Sequence, residues 1–362
     1  MLHSGLLILG HMALDGVARG AHILREGEVE VTVASRRFIV RLIGGAVCRS
    51  KPYAAIPDDL WRLAADVKAG GGGPNSARAA GLMDFRRIFY LESCQEEALL
   101  TRSLAYPHVT VRHLGLRRAP RNLVLDAVSE RLICRSRLEA AEPLGKREAS
   151  VLAEYLRCRC TLANSIKDVE IAERVAAAAH AGTTELVWVL TSAFQPDFHQ
   201  RVMMPAATIL IVSADEVACC SGEGVPMTVE GALDAVDTIR GFAPRAIVLV
   251  TLGGDGVVAS APRCGALHIR LSRSSAAWAL TEGLVAADAA CLTGAGDAFA
   301  AGAAYYRAFG RSLLPWLGAP SAEGAALAGC ALAVRWIGRL APLTRSDFDL
   351  RVVAPPGFRV AA

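Results

Sequence analysis

What most narrows the choice of fold is a series of short apolar segments that recur through the second half of the chain. Residues 186–190 (Leu-Val-Trp-Val-Leu), 209–212 (Ile-Leu-Ile-Val) and 246–250 (Ala-Ile-Val-Leu-Val) are apolar throughout, and helical or loop stretches such as 229–240 separate them. A strand without a polar face is covered on both sides, and strands alternating with helices imply a parallel sheet. Residues 6–9 (Leu-Leu-Ile-Leu), ended by Gly10, read as another buried strand, and 85–91 as one more. The expected fold is α/β: a doubly wound, mainly parallel sheet with helices on both faces. A last helix over 323–337 should pack behind the glycine-rich segment near residue 297.

Two other regions have a different texture. Residues 29–33 and 38–42, and later 122–126 and 131–135, are rich in β-branched residues and interleaved with polar ones. Such strands keep one face exposed. They define a small β-strand lid or insertion over 16–69 and 106–139, set into a core formed by 1–15, 70–105 and 140–350. A surface hairpin without function fits the same pattern. A short amphipathic helix is predicted over 58–68.

At 362 residues, 53% hydrophobic and 20% charged, the chain can bury a substantial core. A net charge of +4, with only 6% aromatic residues, gives no basic stripe with interleaved rings, so nucleic acid is not an expected partner. The ten cysteines form no Cys-x-x-Cys, and no His stands at zinc-finger spacing from them. They read as small buried hydrophobes in a reducing cytoplasm. Residues 5–9 are too short for a signal peptide, and no run of about 18 apolar residues could span a bilayer.

Chemistry concentrates where glycines meet polar residues. Residues 292–302 (Leu-Thr-Gly-Ala-Gly-Asp-Ala-Phe-Ala-Ala-Gly) place Gly294, Ala295 and Gly296 directly before Asp297, which opens a helix running to about Phe309. Small side chains expose the backbone N–H groups of the turn, and the helix adds its own unpaired donors and the positive end of its dipole. That combination holds an anion. Asp297 would then stand beside a bound phosphate, as a base on an attacking hydroxyl. The same four residues also suit a plain loop with an Asp N-cap. The pattern is not a dinucleotide fingerprint, since Phe299 occupies the third glycine position, and an oxidoreductase is disfavoured.

Residues 70–80 begin with four glycines, then Pro74 and Asn75, and run into a helical pattern; without Gly-Lys-Ser/Thr they are no P-loop. Asp15 follows the first strand, where a loop would leave its carboxyl end, the edge at which open α/β sheets bind ligands. Glu216 follows the 209–212 strand and could hold Mg²⁺ through water, or simply complement a helix dipole. Thr251, Gly253 and Gly256 form a glycine turn after the 246–250 strand, suited to a nucleotide or to a hairpin.

In this order the segments resemble the ribokinase-like (PfkB) family of carbohydrate kinases. Residues 70–80 look like its N-terminal glycine signature and 292–301 like its C-terminal Asp-Thr-Thr-Gly-Ala-Gly-Asp, with the resemblance covering about 6–338. The resemblance implies an ATP- and Mg²⁺-dependent phosphotransferase acting on an alcohol group of a sugar or nucleoside. Asp297 would be the base and Gly294, Ala295 and Gly296 the anion hole. Asp15, Gly71, Gly72 and Asn75 would bind the acceptor, Thr251, Gly253 and Gly256 the ATP, and Glu216 the metal. A homodimer through the lid is a known option for such folds. A non-catalytic ligand-binding or assembly relative is the alternative.

Four departures from the family stand out. Cys291-Leu292 replaces Asp-Thr, which argues against activation by a monovalent cation. Ser213 replaces the Asn of Asn-x-x-Glu, which weakens or reroutes the magnesium contacts. Residues 85–97 lack the glycine-rich pattern, and 16–69 is long, so an unusual acceptor pocket is expected.

Overall fold

The computed structural model describes residues 4–19, 21–25, 28–43, 53–63, 65–83, 86–95, 97–126, 131–136, 142–164, 166, 168–190, 198–213, 216–217, 228–271, 294–309, 322–338 and 350–353. Two sheets carry the architecture. The larger has ten strands in the order β18-β17-β16-β15-β14-β13-β12-β1-β8-β9. Its parallel part comprises β9 (Val109–Arg117), β8 (Ile88–Cys94), β1 (Leu6–Gly10), β12 (Cys160–Asn164), β13 (Glu185–Val189), β14 (Ile209–Ser213) and β15 (Ile247–Thr251). Strands β16 (Val257–Ser260), β17 (Ala266–Leu271) and β18 (Leu350–Val353) extend it antiparallel.

Alternate side chains divide the core between the two faces of this sheet, as the pleat requires. Leu7 and Leu9 of β1, with Leu210 and Val212 of β14, pack under α4 (Lys146–Tyr155), α5 (Val169–His180) and α6 (Val229–Phe242). Leu6 and Ile8, with Ile209 and Ile211, face α2 (Gly72–Gly81), α7 (Ala295–Phe309) and α8 (Ala322–Gly338). Helices α7 and α8 approach closely because both are rich in small residues. A Cβ at Gly302 would strike the Ala328 carbonyl, and one at Gly329 would lie 2.6 Å from the Phe299 ring.

The second sheet has eight strands, β3-β4-β5-β6-β11-β10-β2-β7. They are β2 (Ala13–Arg19), β3 (Ala21–Arg25), β4 (Glu28–Val33), β5 (Arg36–Ile43), β6 (Tyr53–Ala55), β7 (Ala65–Gly70), β10 (Arg121–Asp126) and β11 (Arg131–Arg135). Val29, Val31, Phe38, Val40, Leu123 and Cys134 form its own small core against Leu60 of α1 (Asp58–Leu63). This sheet is tied to the larger one through His11 and Met12, between β1 and β2, and through Gly71, between β7 and α2.

Four expectations need correction. The 106–139 segment is divided, since β9 belongs to the parallel sheet and only β10 and β11 join the second one. The helix expected over 58–68 stops at Leu63, and β7 follows from Ala65 to Gly70. Asp15 is not in a loop: it lies within β2, in register with Lys68 of β7 and Asn122 of β10. Helix α7 starts at Ala295 rather than Asp297. The first three shifts share one cause, the hydrogen bonding of strands distant in sequence, which local patterns do not carry. Residues 291–293 lie outside the described residues. Six cysteines are described, all as free thiols, with Cys94, Cys134, Cys158 and Cys160 buried as small hydrophobes.

Candidate active site

The strand order reverses at β1. From there the chain moves one way to β8 and β9, and later the other way through β12, β13, β14 and β15. The carboxyl ends of β1 and β12 therefore flank a topological switch point, where the loops diverge and leave a crevice. Gly10 ends one strand and Asn164 the other, paired in register. The crevice is built for backbone contact: a Cβ on Gly73 would lie 2.5 Å from the Gly10 carbonyl and 2.7 Å from the Tyr90 hydroxyl.

Helix α2 enters this crevice through Gly71, whose φ of 86° is the left-handed region that favours glycine. Helix α7 enters from the other side through Gly294, also at φ 86°. The first helical hydrogen bond of α7 runs from the Ala298 N–H to the Gly294 carbonyl at 2.8 Å. The N–H groups of Ala295, Gly296 and Asp297 thus fall outside the helical ladder, at the positive end of a 15-residue helix. Above Gly296 the space is open, since a Cβ there would meet nothing within 4 Å. This is an anion cradle in geometry and in sign.

Asp297 is the third residue of α7 and does not act as its cap. Its Oδ2 accepts from Asn75 Nδ2 at 2.9 Å, and its Oδ1 from Asn164 Nδ2 at 2.9 Å. Ser76 Oγ donates to the Asp297 carbonyl at 3.1 Å, and Asn164 Nδ2 also reaches Ser76 Oγ at 2.9 Å and the Gly72 carbonyl at 3.2 Å. Arg78 donates to Asn75 Oδ1 at 3.2 Å and to the Ala69 carbonyl at 2.8 Å, which fixes the amide orientation of Asn75. Burial depresses the Arg78 pKa, opposed by Tyr106 and by the Asp15 and Asp297 carboxylates. The guanidinium also lies 5.8 Å from the Trp336 ring centroid.

Asp15 is buried and accepts from Asn122 Nδ2 at 2.9 Å. Desolvation pushes its pKa up to about 6, against the Asn122 hydrogen bond and Lys68, while the Asp297 charge raises it further. The carboxyl also takes the Gly71 N–H, and a Cβ on Gly70 would strike it. Asp15, Gly71, Gly72, Asn75, Gly294, Ala295, Gly296 and Asp297 thus form one cluster. A raised acid pKa sets the sign of a pH effect. Folded Asp15 keeps its proton up to about pH 6, whereas an ordinary aspartate releases it near 3.8. Stability should therefore fall as pH rises through that window. Asp15→Asn should be more stable than the native chain at neutral pH by about 1–3 kcal/mol. The difference should vanish below about pH 4 in urea unfolding curves.

The remaining expected residues stand on the same carboxyl edge, farther along the sheet. Thr251 ends β15 and pairs with Ser213, which ends β14. Glu216 is buried, and its Oε2 accepts from Ser213 Oγ at 2.8 Å and Ser213 N–H at 3.2 Å. A single carboxylate held in this way suits a water-mediated Mg²⁺ contact rather than an all-protein cage. Gly253 (φ 58°) and Gly256 (φ 90°) shape a 3₁₀ turn between antiparallel β15 and β16, so the hairpin reading of this stretch holds.

Asn164 and Ser76 complete the site although no local motif marks them, and Arg78 joins it through Asn75. Asn164 ends a strand whose first residues, Cys160 and Thr161, do not read as an apolar run. Its one local signal is a polar residue closing a buried segment.

The profile of pfkB family carbohydrate kinases matches residues 64–334. No curated protein matches the sequence. Among solved structures, Arabidopsis thaliana ribokinase complexed with ribose and ATP is similar over 91% of this chain and 92% of its own, at 16% identity and TM-score 0.59. Anopheles gambiae adenosine kinase, in complex with P1,P4-di(adenosine-5) tetraphosphate, is similar over 93% and 96%, at 18% identity and TM-score 0.60. A pyrophosphate-dependent kinase in the ribokinase family, complexed with a pyrophosphate analog and myo-inositol, is similar over 94% and 98%, at 14% identity and TM-score 0.57.

Proposed function

The chain belongs to the pfkB family of carbohydrate kinases, and from that premise we propose that it transfers the γ-phosphoryl group of ATP to a hydroxyl of a sugar or nucleoside. One observation carries the reading. The Asp297 carboxylate is held by Asn75 and Asn164 at the mouth of the glycine turn, close enough to Asp15 to act on its ionisation.

In this mechanism Asp15, with the Gly71–Asn75 segment, orients the acceptor, and Asp297 takes the proton of the attacking hydroxyl. The new O–P bond forms as the bond to the bridging oxygen of ATP breaks, and ADP leaves with that electron pair. The N–H groups of Ala295, Gly296 and Asp297 stabilise charge on the transferring group. Mg²⁺, when bound, neutralises charge on the phosphate oxygens, and Glu216 would orient its waters. Thr251, Gly253 and Gly256 would line the nucleotide site. The second sheet would cover the acceptor and keep water from taking the phosphoryl group.

The test is ADP formation from ATP and Mg²⁺ with a panel of pentoses, hexoses, inositols and nucleosides, and acceptor-dependent release of orthophosphate when pyrophosphate is the donor. The reading expects acceptor-dependent ADP formation from ATP. Turnover with pyrophosphate alone would reassign the donor. Thermal stabilisation by ATP without turnover on any acceptor would favour the non-catalytic reading. Among the described residues, no helix is long and apolar enough to cross a membrane.

A further inference from the structure

Behind the crevice, on the adjacent strands β1 and β8, lies a buried cluster that the phosphoryl-transfer reading does not use. His11 follows β1, while Glu92 and Cys94 end β8, and their relative exposures are 4%, 0% and 0%. Their candidate ligand atoms all lie within 4.8 Å of one another. We propose that His11, Glu92 and Cys94 bind one divalent transition-metal ion of the Zn²⁺ type, at a site separate from the magnesium position at Glu216.

Three features support it. The first is the donor set: imidazole, carboxylate and thiolate together suit Zn²⁺ or Co²⁺, whereas Mg²⁺ takes oxygen ligands. The second is charge. The Cys94 N–H donates to Glu92 Oε1 at 2.9 Å and the Cys94 thiol faces the Met12 carbonyl at 3.9 Å, so an ion bound here would replace the thiol proton. A dication with one thiolate and one carboxylate is neutral, and the neighbouring Arg117–Asp168 ion pair cancels within itself. The filled site thus leaves no net charge buried in the core, which is the condition for tolerating it.

The third is the support around the ligands. His11 Nε2 lies 3.7 Å from Asp168 Oδ2, beyond hydrogen-bond distance, and this approach would close into a supporting contact as the ring turns Nδ1 toward an ion. Ser93 Oγ, 3.0 Å from His11 Nδ1 and 3.4 Å from Glu92 Oε1, occupies the space an ion would take and can rotate away. Tetrahedral bonds of about 2.0–2.3 Å separate donor atoms by about 3.3–3.8 Å, so the three side chains need draw in by about 1 Å. A small cavity on the Leu91–Ser93 face of β8, lined by His11, Ser93 and Asp168 among others, adjoins the cluster on its His11 side. The proposal is independent of the kinase reading.

Cobalt is the probe. The full chain, stripped with chelator under reducing conditions, should bind a single equivalent of Co²⁺ and develop a thiolate-to-cobalt charge-transfer band that Zn²⁺ abolishes and Mg²⁺ does not. Cys94→Ser should lose the band, and Asp168→Asn should weaken cobalt binding about 10- to 100-fold. Cys330→Ser should retain both band and affinity. If Cys94→Ser fails to fold, His11→Gln serves in its place, with a weakened, red- or blue-shifted band expected. Absence of the band from the native chain, or its survival unchanged in Cys94→Ser or His11→Gln, overturns the proposal.

Discussion

Asp297→Asn should lower kcat by about 10²- to 10⁴-fold, the range for losing a positioned general base, once an acceptor is in hand. The substitution is nearly isosteric, but the site can distinguish acid from amide. Asn75 and Asn164 both present Nδ2 to the carboxylate. Neither amide can turn over cheaply, because Asn75 Oδ1 is held by Arg78 and Asn164 Nδ2 also serves Ser76 and the Gly72 carbonyl. An amide at 297 would therefore set one N–H group against another, at a stability cost of about 1 kcal/mol. Thermal unfolding should register a small fall while turnover collapses. A variant keeping near-native kcat would remove Asp297 as the base, and one that fails to fold would leave the role to be tested by the next substitution.

Asn164→Asp should be nearly as damaging to activity, for a different reason. It replaces the Nδ2 donor, 2.9 Å from Asp297 Oδ1, with a carboxylate oxygen. Two carboxylates at that distance cannot both ionise readily, so the pair holds a shared proton into the neutral range. A base that keeps a proton accepts none, and kcat at pH 7 should fall by about 10²-fold. The acid limb of the pH–rate profile should move upward as the pair's apparent pKa rises. Asn164→Ala removes the same donor without adding charge, so it should slow turnover by a smaller factor and move that limb upward by less. Equal profiles for the two variants would show that Asn164 contributes only packing.

The legible parts of this protein are those whose causes are local. Runs such as 209–212 and 246–250 announced buried parallel strands because a strand covered on both faces has no polar side to show. Helix α5 buries Ile171, Ala172, Val175 and Ala176, which recur at helical spacing along one face. The glycines before Asp297 and Asn75 pointed to close backbone approach, and both turns contain a residue at φ 86°. Even so, α7 starts two residues before Asp297, because glycine's low helix propensity at 296 hides a start that packing against α2 and α8 supports.

What the chain could not declare in one dimension is neighbourhood. Asn164 and Ser76 read as ordinary polar residues until β12 lies beside β1 under α2, where Asn164 reaches the carboxylate of a residue 133 positions away and Ser76 the backbone carbonyl of that residue. Asp15 reads as a turn residue until β10 and β7 flank it in register. His11, Glu92 and Cys94 match no metal-binding spacing and meet only because β1 pairs with β8. The sequence alone determined the buried strands, the amphipathic helices and the glycine turns, since those follow from periodicity and backbone freedom, whereas β2 and β7 form only because distant strands pair with them. The order of strands in the sheet decided which side chains share a site, because that order arises from long-range pairing and leaves no local trace.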